Sequence, residues 1–202
     1  MTVAFGDPLY KWVMKNRLHT TMLLIEPQPE IIPHLQQNYA SHPRAVTHCG
    51  AVSLDSNLQL WRIRPEYWDD YTVPYQGPAW RWASGITSMH RTHVLKIAAD
   101  KFPDHADVTD LIELRQTLSH RLPALLALLD WTDPVDVLQI DAEGADHEVL
   151  QACYIAEIRP KIINYEHCHL TFNSQLQTQQ WLHDLGYNLR HWNDRDTLAT
   201  AV

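Results

Sequence analysis

Acidic residues stand directly after three short apolar runs of the chain. Glu26 follows the first of these runs, Asp141 the second and Glu166 the third. Short apolar runs without alternation are typical of parallel strands that are covered on both faces. Because ligands of open parallel sheets bind outside the carboxyl ends of the strands, we expect the three carboxylates to converge on one rim. Carboxylates on such a rim can accept hydrogen bonds from hydroxyl groups or take up a proton.

Glu26 has two interpretations that the sequence does not separate. An acid at this place in an open sheet can accept hydrogen bonds from both hydroxyls of a ribose. Alternatively, the same negative charge stabilises the N-terminus of the helix that follows. Position alone favours neither interpretation.

Asp141 belongs to the tetrapeptide Asp141-Ala142-Glu143-Gly144, in which two carboxylates flank a tight turn. The glycine permits close approach of another backbone segment or of a ligand. Taken alone, Asp141 is also a candidate N-cap for the next helix, a role that stabilises a helix by about 1 kcal/mol. The tetrapeptide as a unit favours a functional site.

The triplet His167-Cys168-His169 suggests a metal site, because residues two apart on a strand point to the same side. The chain holds 13 histidines, so chance neighbours are expected, and no further ligand stands at a recognisable spacing. We therefore predict no metal. A metal-dependent hydrolase that uses His167, His169 and Asp141 remains a weaker alternative. The chain has no G-x-S-x-G motif, which argues against a serine nucleophile.

Charge, hydropathy and cysteine usage exclude several classes of partner. The net charge is −8, and the chain has no cluster of lysine and arginine that could neutralise nucleic-acid phosphates. No apolar run approaches the roughly 20 residues of a membrane helix, so we expect no membrane partner. The three cysteines, Cys49, Cys153 and Cys168, are far apart and odd in number. They form no disulfide framework, and we expect a cytoplasmic protein.

Glycine usage excludes one kind of cofactor site. The six glycines stand at positions 6, 50, 77, 85, 144 and 186. No two of them form G-x-G or G-x-x-x-x-G-K, so a glycine-rich cradle for a phosphate or nucleotide is excluded within this chain.

Alternating strands and helices must position these residues. The first helix is predicted to start at Asp7 and the second at Pro29, while Gly186 ends a helix over 175–185. The proline-rich segment 65–85 is predicted to form a long loop. Strands are predicted at 21–25, 45–52, 58–63, 135–141, 161–167, 187–191 and 196–200. The alternation indicates one α/β domain over the whole chain, with right-handed crossovers.

Five segments resemble FkbM-type S-adenosylmethionine-dependent methyltransferases, in the order of that family. Residues 138–144 (LQIDAEG) resemble the family's IDxEG motif, and residues 24–29 (LIEPQP) resemble its EPxP segment. Residues 6–10, 82–85 and 164–167 also resemble family segments. The resemblance covers nearly the whole chain, and the two central motifs together are fairly specific.

The resemblance implies a class I methyltransferase fold, a Rossmann-like three-layer α/β sandwich. Its sheet is expected to be mostly parallel, with an antiparallel last strand. The implied cofactor is S-adenosylmethionine. By this resemblance, Glu26 holds the cofactor ribose, Gly50 and Ala51 lie near the adenine, and Asp141 stands close to the methionine moiety and the reacting methyl group.

Methyl transfer to a hydroxyl requires orientation of the reacting groups and removal of the hydroxyl proton. The resemblance implies that Glu166 and His167 lie beside Asp141, and each of the three is a candidate catalytic base. The implied methyl acceptor is a sugar or another small hydroxyl compound. The alternative from a different class is a non-catalytic relative that keeps the fold as a binding or assembly module.

The sequence departs from the family at its N-terminus. The family's first strand and its glycine-containing loop should stand just before Gly6, where residues 1–5 cannot hold a strand of about 5–6 residues and a loop. That strand normally lies between the strands that end at Glu26 and Asp141. We expect the natural chain to begin upstream of Met1, which leaves this domain N-terminally incomplete and without its first strand. The alternative is a degenerate relative that binds the cofactor weakly or not at all.

Overall fold

The computed structural model describes residues 9–73 and 78–202. The predicted helix start at Asp7 lies outside these residues. The chain divides into two compact units. The first unit consists of Met1–Ala51 and Asn57–Leu118, and the second of Val52–Ser56 and Ser119–Val202. The prediction of a single domain stays a prediction.

Helices and strands alternate along the described residues, as the sequence predicts. The helices are α1 (Tyr10–Lys15), α2 (Ile32–Asn38), α3 (Ala79–Ser84), α4 (Arg91–Lys101), α5 (Leu122–Leu128), α6 (Asp146–Ala152), α7 (Ile155–Ile158) and α8 (Phe172–Asp184), with 3-10 helices at Pro65–Asp70 and Val108–Leu111. The strands are β1 (Met22–Glu26), β2 (Ala45–Cys49), β3 (Ala51–Val52), β4 (Asn57–Ile63), β5 (Thr87–Ser88), β6 (Ile112–His120), β7 (Val137–Ile140), β8 (Ile162–Glu166), β9 (Tyr187–His191) and β10 (Asp196–Ala201).

The first unit contains a parallel strand pair and an antiparallel set. β1 pairs with β2 in parallel, and the register ends with Glu26 opposite Cys49. β4 pairs antiparallel with both β5 and β6. The helix between β1 and β2 begins at Ile32, with Pro33 in its first turn, rather than at Pro29 as predicted. A proline is tolerated in the first turn because its missing N–H would have no partner within the helix.

Within segment 65–85, the described residues 65–73 and 78–85 are more ordered than the predicted loop. Its described residues include the 3-10 helix Pro65–Asp70 and the helix α3. Trp68 is buried, and its ring N–H donates to the backbone oxygen of Ile63 at 3.0 Å. The loop prediction is wrong here because a buried aromatic anchor fixes a segment whose prolines alone indicate a loop.

The second unit contains a four-stranded mixed sheet in the order β7-β8-β10-β9. β7 and β8 are parallel, and α6 and α7 lie between them in the chain. The last strand, β10, is antiparallel to β8 and β9, as predicted. Gly186 ends the helix α8 with a left-handed φ of 86°. That helix starts earlier than predicted, because the Thr171 side chain caps it by accepting the Ser174 N–H at 3.2 Å.

The described strands form three hydrogen-bonded sets instead of the one mostly parallel sheet that was predicted. Among these residues, β1 pairs with β2 alone and β7 with β8 alone. The mixed α/β class is confirmed, and the three-layer sandwich stays a prediction. No helix within residues 9–73 and 78–202 has the length and apolar character needed to cross a bilayer.

Candidate active site

Three carboxylates of the second unit lie together at the carboxyl ends of β7 and β8. The parallel register ends with Ile140 opposite Tyr165, so Asp141 and Glu166, the residues that come next, lie side by side. Side-chain oxygens of Asp141, Glu143 and Glu166 all lie within 4.8 Å of one another. We call these three residues the carboxylate cluster. The predicted proximity of Asp141 and Glu166 is present in the structure.

Glu143 occupies a tight left-handed turn at the edge of this cluster. Its φ is 48°, and that of Gly144 is 96°. A Cβ on Gly144 would lie 3.2 Å from the backbone oxygen of His169, so the turn approaches that segment closely. Burial, and after it the nearby charges of Asp141 and Glu166, raise the pKa of Glu143 to about 8. Glu143 lies in the turn that the sequence predicts, but the sequence pattern does not identify it as a site residue.

Glu166 is buried, and its two oxygens have different surroundings. Oε1 accepts hydrogen bonds from Arg195, from Nη2 at 2.6 Å and from Nε at 3.1 Å. Oε2 is buried and has no hydrogen-bond partner, and the imidazole nitrogen Nε2 of His169 lies 3.7 Å away. The hydrogen bond to Glu166 raises the pKa of the Arg195 guanidinium, which keeps this cation charged. Sequence reasoning missed Arg195 because it comes from the loop between β9 and β10.

Asp146 connects the two strand ends through the backbone. It has no exposed surface, and its carboxylate accepts the N–H of Glu166 at 3.0 Å and that of Ala142 at 3.3 Å. Burial raises its pKa to about 7, although these two hydrogen bonds lower it. The helix α6 begins at Asp146, after Ala145, so the alternative that Asp141 caps this helix is wrong.

His167 and His169 have different neighbours. His167 Nδ1 lies 3.0 Å from Thr197 Oγ1, and its ring stands edge-on to that of His191 at 4.7 Å. Burial lowers the pKa of His167. His169 Nε2 instead lies 3.5 Å from Glu143 Oε2. The prediction that both imidazoles share one strand face is wrong, because β8 ends before them. The catalytic role of His167 stays a prediction.

Glu26 ends β1 in the first unit and is buried. Its backbone oxygen accepts the N–H of Gly50 at 3.0 Å, so the structure brings these two predicted residues together. Its carboxylate Oε1 accepts the N–H of Gln28 at 2.9 Å, and the Gln28 amide donates to the Ser84 oxygen at 2.6 Å. Burial raises the pKa of Glu26, and the Gln28 hydrogen bond lowers it. The alternative that Glu26 stabilises the next helix stays a prediction.

Gly50 leaves no room for a side chain. A Cβ there would lie 2.7 Å from His48 Nε2 and 3.0 Å from the backbone oxygen of Leu118. Ala51, the other residue predicted near an adenine, follows directly and is buried. Because Glu26 belongs to the first unit, the predicted rim that it shares with the carboxylate cluster stays a prediction.

A buried arginine supports the loop that follows Glu26. Arg62 is 3% exposed and pairs with Glu30 and Glu113, each at 2.7 Å. Its Nη1 also reaches Oε1 of Gln28 at 3.5 Å. Strand alternation in the sequence predicts a half-exposed strand here, and it cannot reveal that acids from two distant segments bury this cation.

A family model for the methyltransferase FkbM domain matches residues 5–189. The chain belongs to the FkbM methyltransferase family. This confirms the resemblance carried by residues 24–29 and 138–144. None of the curated proteins and none of the solved structures matches the chain.

The span matched to the FkbM methyltransferase domain contains Glu26, Gly50 and the carboxylate cluster. It ends before Arg195, the cation that holds Glu166. The family motifs therefore account for the acids of this FkbM domain, whereas the folded structure is needed to identify their partner.

Proposed function

We propose that the protein is an S-adenosylmethionine-dependent methyltransferase that methylates a hydroxyl of a sugar or of another small compound. The observation that carries this proposal is the buried carboxylate of Glu26 beside Gly50. A carboxylate at the end of a parallel strand can accept two ribose hydroxyls, and the Gly50 N–H donates to the Glu26 backbone oxygen at 3.0 Å, which holds the residues proposed for the adenine next to this strand end. These residues fit the ribose and adenine of the cofactor.

The residues around Glu26 and the residues of the carboxylate cluster each have a role in this proposal. Glu26 would accept the ribose hydroxyls, Gly50 and Ala51 would border the adenine, and Asp141 would face the methionine moiety. When bound, the cofactor supplies a methyl group on a sulfonium sulfur, which an oxygen nucleophile takes up as the carbon–sulfur bond breaks. The chain's own residues then orient the acceptor and receive its proton.

Among the proposed proton acceptors, the carboxylate cluster has the most direct support. A base is most effective when its pKa lies near the working pH. Glu143, with a pKa of about 8, meets this condition and joins Asp141, Glu166 and His167 as a candidate. Arg195 would hold Glu166 in place through its two hydrogen bonds.

The partner and location in this proposal follow from charge and cysteine usage. An acceptor without phosphate groups suits a chain with a net charge of −8 better than a nucleic acid does. The three cysteines carry no disulfide, which is the usual state in the cytoplasm.

Calorimetry with S-adenosylhomocysteine tests the proposal. We expect wild-type protein to bind, and Glu26→Ala to bind about 10- to 150-fold more weakly, because charge-assisted hydrogen bonds contribute about 1.5–3 kcal/mol. Glu66→Ala is the matched control, since Glu66 is a well-exposed acid of the same unit. Circular dichroism verifies that each variant folds. Absence of binding by wild-type protein at millimolar ligand would overturn the proposal.

A non-catalytic binding or assembly module is the second candidate. The observation that favours it is the pairing of β1 with β2 alone and of β7 with β8 alone, among the described residues. Unpaired backbone groups on a strand edge can receive a strand from another chain. A folded wild-type protein that binds no S-adenosylhomocysteine but forms a stable complex or oligomer would support this candidate.

A further inference from the structure

The carboxylate cluster concentrates negative charge. Asp141, Glu143 and Glu166 place oxygens within 4.8 Å of one another, which gives three negative charges when all are ionised. Arg195 offsets one of them through Oε1 of Glu166. A net charge of −2 then remains in a small volume, and like charges at such distances repel strongly when they are partly removed from water.

A second observation indicates that the cluster is built to receive a ligand. The Glu166 side chain is only 5% exposed, and its Oε2 has no hydrogen-bond partner. A buried carboxylate oxygen is unfavourable unless a donor or a metal ion satisfies it. Oε2 lies 3.7 Å from His169 Nε2, which in turn lies 3.5 Å from Glu143 Oε2. The unsatisfied oxygen therefore faces the space that His169 and Glu143 border.

We propose that Asp141, Glu143 and Glu166 bind one divalent cation that prefers oxygen ligands, Mg²⁺ or Mn²⁺. Carboxylates are the usual protein ligands of these ions, at distances of about 2.0–2.2 Å. In octahedral coordination two opposite ligands lie about 4.4 Å apart and adjacent ligands about 3 Å apart, so oxygens within 4.8 Å of one another would move closer together when the ion binds. The ion would satisfy Glu166 Oε2 and balance the remaining charge.

A second set of possible ligand atoms lies at the same place, so the identity of the bound metal ion can be tested. Glu166, Cys168 and His169 also place possible ligand atoms within 4.8 Å of one another. A thiolate and an imidazole select Zn²⁺ over Mg²⁺. Glu166 belongs to both sets. We favour the three carboxylates because Asp141 and Glu143 are half-buried, whereas Cys168 and His169 are exposed.

Cation binding itself does not depend on the proposed function. The use of the ion does rest on it, since a cation held by three protein ligands keeps open positions that can take the hydroxyl oxygen of an acceptor. Coordination lowers the pKa of a bound hydroxyl and fixes its orientation. The cluster would then position the acceptor as well as take up its proton.

Titration of the full chain with Mn²⁺, followed by the electron paramagnetic resonance signal of the free ion, tests the site. We expect one Mn²⁺ per chain, displaced by Mg²⁺. Glu143→Gln should weaken binding about tenfold or more. Glu148→Gln is the matched control, because Glu148 is an exposed acid of the same unit outside the cluster, and it should bind as wild type does. Asp141→Asn gives a second test if Glu143→Gln does not fold.

Several results would overturn the cation site. They are the absence of Mn²⁺ binding at millimolar concentration, equal affinity in Glu143→Gln and Glu148→Gln, and a site that takes Zn²⁺ only and is lost in Cys168→Ser. Binding of S-adenosylhomocysteine is measured on the same samples. If S-adenosylhomocysteine binds and Mn²⁺ does not, only the proposed cation site is contradicted. If Mn²⁺ binds and S-adenosylhomocysteine does not, only the methyltransferase proposal is contradicted.

Discussion

The carboxylate of Asp146 accepts the backbone N–H of Glu166 at 3.0 Å, although the two residues are 20 positions apart. The same carboxylate accepts the N–H of Ala142 at 3.3 Å. One buried side chain at the start of α6 therefore holds both segments that carry the carboxylate cluster. The geometry of the cluster depends on this contact as well as on the pairing of β7 with β8.

Replacing Asp146 should destabilise the second unit. In Asp146→Ala, the buried N–H of Glu166 and the partly buried N–H of Ala142 lose their acceptor, and an unsatisfied buried donor costs about 1–3 kcal/mol. Asp136→Ala is the control, because its exposed pair with Lys161 is expected to contribute about 1 kcal/mol or less. Urea unfolding measures both variants. Equal losses of unfolding free energy would contradict the role assigned to Asp146.

Glu143 should make stability depend on pH. Its pKa of about 8 in the folded state lies above the ordinary value of 4.5, so the folded chain keeps a proton that the unfolded chain releases. The stabilisation from protonated Glu143 is present below the unfolded pKa and is lost as pH rises through about 8. Glu143→Gln should therefore show a shallower fall in unfolding free energy between about pH 5 and pH 8.

The Glu143 measurement uses urea unfolding at several pH values in the presence of a chelator, which keeps cations from the cluster. Wild type and Glu143→Gln share all other titrating groups, so the difference between their curves reports on this carboxyl. Parallel curves would show that Glu143 titrates normally in the folded protein.

Two glycine-to-alanine substitutions in the first unit should differ in their effect on stability. Gly50→Ala forces a Cβ against the Leu118 backbone oxygen at 3.0 Å, and such overpacking costs about 1–3 kcal/mol. Gly85→Ala meets its nearest atom at 3.4 Å, an ordinary contact, and should leave stability unchanged within about 0.5 kcal/mol. Thermal unfolding compares the two variants. A Gly50→Ala protein as stable as Gly85→Ala would contradict the close approach at Gly50.

Arg62 should contribute more to stability than its neighbour Arg64. Arg62→Ala removes the buried cation from Glu30 and Glu113, and because these two acids are about one third exposed, we expect a loss of about 1.5–3 kcal/mol, the range for hydrogen bonds to charged groups. Arg64 is 42% exposed and lies 3.9 Å from Glu66, so Arg64→Ala should cost about 1 kcal/mol or less. Urea unfolding of the two alanine variants tests this prediction. Similar midpoints would contradict the stabilising role of the Arg62 ion pairs.

The parts of the fold that the sequence predicts are those set by local pattern. The apolar runs that end at Glu26, Asp141 and Glu166 form parallel strands, because covered strands read as continuous apolar segments. The proximity of Asp141 and Glu166 follows from that pairing. Gly186 marks a helix end because few other residues adopt a positive φ at low cost.

The remaining features of the fold and of the site depend on contacts between segments that are far apart in the sequence. No local sequence pattern indicates such contacts. Arg62 is buried only because Glu30 and Glu113 meet it from other elements. The role of Asp146 requires knowledge of where β8 ends. The 3-10 helix at Pro65–Asp70 was missed because its prolines indicate a loop, whereas the buried Trp68 decides its structure.

The central claim, that Glu26 receives a cofactor ribose, is tested most directly by a ligand that lacks the hydroxyls. Calorimetry compares S-adenosylhomocysteine with its 2′,3′-dideoxy analogue on wild type and on Glu26→Ala. Wild type should prefer the hydroxylated ligand by about tenfold or more, and Glu26→Ala should bind the two ligands within about twofold of each other. An equal preference in both proteins, or no binding of either ligand to wild type, would contradict the account.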